Sequence, residues 1–168
     1  MPEDAGTVRA QYDEAMVRRA VRTFVWRRFV LGEKVLWVLA GAMLLLCAWL
    51  IAQGDRSWLA IVTGAAGLLP LLFVLVGWFA HLRASLGRLR AMPVPEAEFA
   101  FDDQGFRATS GLGDMRLPWS SVAEAWVRQE FWMFIIAPNQ FVTLPTQNIP
   151  PKTLDQFRDW LGGKVVDL

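Results

Sequence analysis

The side chains able to do chemistry in this chain are few and scattered. Its one histidine, His81, closes a long apolar run with no Cys, Asp or Glu close to it in sequence. A lone imidazole makes neither a metal site nor a nucleophilic triad, because both need several groups converging on one point. Asp102 and Asp103 could suggest acid–base work by paired carboxylates. Adjacent strand residues point to opposite faces, however, and a turn at Asp102-Asp103-Gln104-Gly105 accounts for both. Gly111-Leu112-Gly113-Asp114 is glycine-rich, but no Lys-Ser/Thr pair follows and no helix opens there, so it reads as a turn rather than a phosphate cradle. Ser110, Ser120 and Ser121 have no histidine in their half of the chain. The single Cys47 cannot form an internal disulfide and reads as a small hydrophobe between Leu46 and Ala48. Leu46 is also too large for the small residue that precedes a lipoprotein cleavage site. No catalytic, metal or cofactor residue is expected, and the chain is not expected to be an enzyme.

The elements that carry these residues are dominated by two uncharged runs, 35–53 and 57–82, separated by little more than Asp55 and Arg56. At ~1.5 Å rise per residue each can cross a ~30 Å hydrocarbon core. They are read as a transmembrane helical hairpin over 35–82. A cleaved signal is not expected, because the first run starts late, exceeds a signal's apolar core and is followed at once by a second. Trp37 and Trp78 fall near the outer ends of the runs and Trp49 and Trp58 near the tight loop, the distribution of interfacial anchors. Ala60, Gly64 and Gly67 form a small-residue stripe that lets another backbone approach closely. Packing against the first run is one use of it and a homo-oligomer face is the other. Pro70 is expected to kink the second helix. The runs contain no Asp, Glu, Lys or Arg, which argues against a transporter or proton relay.

Residues 1–34 read as a basic amphipathic segment, frayed over 1–8 and helical from about Arg9 to Lys34. Trp26, Arg27, Arg28 and Phe29 have the chemistry of a head-group interface, rings among acylglycerol and guanidinium groups at phosphate. Seven basic residues flank the outer ends of the runs and one, Arg56, lies in the loop. The positive-inside rule then puts both termini in the cytoplasm. Charge is uneven beneath a net +1: residues 1–92 carry 11 Lys/Arg against 6 Asp/Glu, residues 93–168 carry 6 against 10. The cationic part suits anionic lipid. The acidic part is a poor nucleic-acid binder, since phosphate contacts supply most such affinity.

After a linker at 83–97, marked by Met92-Pro93-Val94-Pro95, residues 98–168 change to short strands. Strands are expected at 99–101, 106–109, 115–117, 123–129, 131–137 and 141–144, with turns at Asp102-Asp103-Gln104-Gly105, 110–114 and Pro138-Asn139. A helix follows from Pro150-Pro151 to Leu161, apolar along Leu154, Phe157 and Leu161 and ended by Gly162-Gly163. The expected fold is therefore α+β: an N-terminal helix, a two-helix transmembrane hairpin, and a small antiparallel β domain closed by a C-terminal helix.

Residues 98–162 resemble the YcxB-like family of bacterial membrane proteins. The likeness lies in Phe99-Ala100-Phe101-Asp102-Asp103-Gln104-Gly105-Phe106, Leu117-Pro118-Trp119-Ser120-Ser121-Val122, the strand Phe131-Trp132-Met133-Phe134-Ile135-Ile136, and Leu144-Pro145 before the last helix. Members often carry basic residues after that proline, where this chain has Thr146-Gln147-Asn148. The resemblance implies two membrane helices, a pleckstrin-homology-like domain and a place in the bacterial inner membrane. It implies no activity, ligand or catalytic residue. The expected partner is the lipid bilayer, together with a protein partner and no nucleic acid. Two functions fit: a non-enzymatic membrane-anchored interaction or regulatory module, or an accessory subunit docking through its hairpin. A solvent-facing patch of Trp126, Phe131 and Trp132 would favour the first.

Overall fold

The computed structural model of the chain describes residues 5–138 and 140–168. Residues 1–4 of the segment expected to fray, and Asn139 of the expected turn, lie outside the described residues. The chain divides into two compact units, one of Met1–Ala20 with Leu86–Leu168, the other of Val21–Ser85.

The first unit is built on two four-stranded sheets. One runs in the order β1 (Ala5–Gln11), β2 (Glu96–Phe101), β3 (Gly105–Ser110), β4 (Gly113–Pro118), all antiparallel. In the other, β5 (Glu124–Val127), β6 (Phe131–Ala137), β7 (Gln140–Pro145) and β8 (Val165–Asp167) take the order β7-β6-β5-β8. In β2 the residues Ala97, Phe99 and Phe101 are buried while Glu98 and Ala100 face out, the period-two pattern of a half-buried strand. Five consecutive residues of β6, Phe131 to Ile135, are buried, so both faces of that strand are covered.

Two expectations change here. The start of the chain is a strand rather than a frayed end: Val8 pairs with Phe99 and Ala10 with Ala97, and both Val8 and Ala10 are core residues. Its alternation is short and built on small side chains, and only the partner strand some ninety residues later makes it a strand. The second change is β8, which pairs in parallel with β5, so the domain is not wholly antiparallel. Three residues are too few to show a period. The crossover that a parallel pair requires includes the helix α4 (Pro151–Leu161).

Local chemistry explains the boundaries. Asp102 Oδ1 accepts hydrogen bonds from the backbone N–H groups of Gln104 and Gly105, closing the β2–β3 turn. A Cβ on Gly105 would lie 2.2 Å from the Leu117 carbonyl oxygen, so only glycine lets β3 and β4 close there. Helix α1 (Glu14–Val25) opens where the Asp13 carboxylate accepts from the Met16 N–H, a side-chain cap. Helix α4 starts on Pro151, where the missing N–H costs nothing. It ends at Gly162, whose φ of 53° is in the left-handed region.

The core is aromatic. Phe157 of α4 stands 4.2 Å from Phe101 of the first sheet and 6.1 Å from Trp132 of the second, centroid to centroid. Trp119 stacks on Phe101 and donates its indole N–H to the Asp102 carbonyl oxygen at 2.9 Å. Leu161 is buried and Leu154 packs on the same cluster.

The second unit holds two apolar helices, α2 (Lys34–Ala52) and the part of α3 (Trp58–Ala91) up to Ser85. Both are long and apolar enough to cross a membrane, each with a mean hydropathy of 2.5 over its most apolar window. Helix α3 continues well past Leu82, so residues 83–91 are helical and the connection to β2 is only 92–95. Arg83, Arg88 and Arg90 suit helix as well as they suit linker, which is why the run's apolar end misplaces the helix end. Pro70 lies inside α3. The single helix expected over 9–34 is instead the end of β1, then α1, then a π-helical turn at Trp26–Leu31 closed by a Gly32 N–H to Arg27 O bond.

Candidate functional site

The small-residue stripe faces α2. A Cβ on Gly64 would lie 3.0 Å from Cys47 Sγ, and one on Gly67 would lie 2.6 Å from Leu44 Cγ and 3.0 Å from the Ala40 carbonyl oxygen. Cys47 donates its S–H to the Ala60 carbonyl oxygen at 3.2 Å, and Ala60 is buried. As the α2 number falls from 47 to 40 the α3 number rises from 60 to 67, so the helices run antiparallel in direct contact. Thr63, buried beside the stripe, satisfies its hydroxyl on the Leu59 and Ala60 carbonyls. Replacing Gly67 with Ile should therefore overpack this seam and cost about 1–3 kcal/mol. Gly87→Ile, with open space around it, is the control. Thermal unfolding of the full chain in mild detergent separates the two, and equal melting of both variants would contradict the packing.

The expected interfacial residues fall at two levels. Trp49 and Trp58 are exposed near the loop between α2 and α3. At the other end Trp26 is 59% exposed and Arg28 is exposed, whereas Arg27 is half-buried. Phe29 is also half-buried, with its ring against Phe24 and His81. Trp37 donates its indole N–H to the Phe29 carbonyl oxygen at 3.2 Å, and Trp78 is half-buried.

Trp26, Trp37 and Trp78 converge on a groove of about 510 Å³. Its walls are otherwise apolar, with Leu71, Val74, Leu75 and Phe79 along α3, and Arg22 is its one charged lining residue. Sequence reasoning found the three tryptophans and counted Arg22 among the basic residues flanking the first run, but not the groove that brings them together. The signal was available: Arg22, Val25 and Trp26 sit at i, i+3 and i+4, one helical face, as do Leu71, Val74, Leu75 and Trp78.

A second concavity, about 380 Å³, lies in the β unit between α4 and the ends of β5 and β8. Arg158 crosses it, donating to both carboxylate oxygens of Asp167 at 2.6 and 3.2 Å and lying 5.5 Å from the centre of the Trp132 ring. The hydrogen bonds from Arg158 hold the Asp167 carboxyl below its ordinary range. A carboxyl whose folded-state pKa is depressed stabilises the fold above its unfolded-state value and stops doing so as pH falls through the folded one. The hold of α4 on β8 should thus weaken on acidification. An NMR titration of Asp167 should show a depressed midpoint that Arg158→Ala returns to the ordinary range; an unchanged midpoint would contradict the pairing.

The patch that would have favoured a docking surface is absent from the surface: Trp126, Phe131 and Trp132 are 4%, 1% and 2% exposed. Of the serines and carboxylates named as candidates, Ser110 and Asp102 serve turns, Ser110 accepting from the Leu112 N–H and Asp102 as described. Among the described residues no group of three His, Cys, Asp or Glu side chains could hold a metal ion.

The model of the family described as YcxB-like protein matches residues 101–161, the stretch from the end of β2 to the end of α4. That segment of the chain is similar to the family. Neither a curated protein nor a solved structure matches the chain.

Proposed function

We propose that this protein is a two-span membrane-anchored interaction module, with a pleckstrin-homology-like domain held at the cytoplasmic face of a bacterial inner membrane and without enzymatic activity of its own. One observation carries the reading. Strand β1 precedes the two apolar helices, β2 follows them, and the two strands pair in one sheet. The helices are therefore an insertion into a β domain. A chain that leaves such a domain, crosses a bilayer and must return to it has to cross an even number of times, and two suitable helices are present. The roots of the excursion are joined as well: Glu14 pairs with Arg90 at 2.9 Å, and the Tyr12 N–H bonds the Pro95 carbonyl oxygen. The basic residues at the outer helix ends favour the cytoplasmic side for the domain.

With its large aromatic residues buried, the β domain keeps two features for a partner. One is the exposed edge strand β4, whose unpaired backbone groups can accept an added strand. The other is the cleft at Arg158. The accessory-subunit reading finds less support, because α2 already occupies the stripe of Ala60, Gly64 and Gly67. Reporters fused before β1 and after Leu168 should both read as cytoplasmic, with the full chain resisting alkaline extraction from membranes. A periplasmic signal from either fusion would contradict the proposal.

A further inference from the structure

We infer that the groove of the helical unit is a phospholipid site, holding one acyl chain along α3 with its phosphate at Arg22. The inference rests on the membrane reading above and adds a specific occupant to it. From Leu71 to Phe79 the groove runs eight residues along the helix, about 12 Å, and its 510 Å³ is within the usual range for a ligand site. Its walls are aliphatic and aromatic over that whole length, so whatever fills it is apolar over most of its own length. The only charge is cationic and stands on α1 rather than on either long helix. Arg22 is exposed and makes no ion pair among the described residues. The indole N–H groups of Trp26 and Trp78 likewise have no acceptor among the described residues, while that of Trp37 is used by Phe29. An occupant that matches this lining is a long hydrocarbon ending in an anion with hydrogen-bond acceptors beside it. A glycerophospholipid has that order: acyl chain, ester carbonyls, phosphate. A free fatty acid lacks the second acceptor group.

Native mass spectrometry of the full chain, extracted in mild detergent and exchanged into phosphatidylglycerol or phosphatidylcholine micelles of equal chain length, tests this. The wild-type chain should retain one phospholipid per monomer. Leu75→Trp, which fills the groove from its wall, should lose it while keeping the wild-type melting temperature, and Leu71→Trp provides a second filling variant. Arg22→Gln should weaken phosphatidylglycerol retention about fivefold, the equivalent of one basic side chain near an anionic head group. Equal retention by the wild-type and filled chains would overturn the site by showing that the lipid is only annular. A dimer that the filling variants disrupt would overturn it in favour of a second copy of the chain. A chain released from membranes by alkali would instead contradict the membrane reading itself, which keeps the two failures apart.

Discussion

Truncating Phe157 to Ala should cost about 3–5 kcal/mol of stability, the usual range for removing a buried phenylalanine. The side chain is fully buried and touches rings from both sheets: Phe101 at 4.2 Å, Trp132 at 6.1 Å and Trp119 at 6.1 Å. None of these neighbours can follow the shrinking side chain without leaving another contact, so the space stays open. The loss should appear as a lower melting temperature of the full chain in detergent, read by near-ultraviolet circular dichroism. Trp160→Ala, at a half-buried position on the rim of the same cluster, should cost less. An unchanged melting temperature for Phe157→Ala would show that α4 does not belong to the core.

Placing a carboxylate at the second position of large effect, Ala10→Asp, should be as damaging. Ala10 is 2% exposed, opposite Ala97, in the cluster that holds Phe99 and Trp132. The cluster is built of hydrophobic side chains, so the new charge loses its hydration there, at several kcal/mol even after relaxation. Arg9→Asp, one residue away on the exposed face of the same strand and opposite Glu98, is the control and should cost no more than about 1 kcal/mol, the usual size of a cross-strand pair. If β1 were a frayed leader, both substitutions would be equally mild. Equal unfolding free energies for the two would therefore contradict the strand.

Much of the β unit could be read in advance because its strands alternate visibly. Phe99 and Phe101, the Asp102-Asp103-Gln104-Gly105 turn and the Leu154, Phe157, Leu161 face of α4 all follow from spacing and local chemistry. The elements that were missed depend on distant partners. Among its described side chains β1 buries Val8 and Ala10, and β8 has only three residues; both become strands because β2 and β5 offer unpaired edges. The end of α3 was missed because apolar composition ends at Leu82 while the backbone hydrogen-bond ladder does not. The three tryptophans of the groove were singled out as interfacial anchors, but their convergence was not. A π-helical turn at Trp26–Leu31 rotates the face that presents Trp26 and Val30, and no sequence period announces such a turn. Trp126 and Trp132 looked like surface candidates because an aromatic strand reads the same whether one face or both are covered.

The split domain is the central claim, and it can be measured directly. In one protein, residues 21–85 are replaced by a flexible Gly/Ser linker of about twelve residues, which spans roughly 20 Å. In a second, only residues 96–168 are kept. Hydrogen exchange and thermal unfolding of the two are then compared. The linked protein should unfold cooperatively, with the amides of Val8 and Ala10 protected, and the fragment without β1 should be far less stable or unfolded. Equal stability of the two proteins, with the β1 amides exchanging freely, would contradict the account.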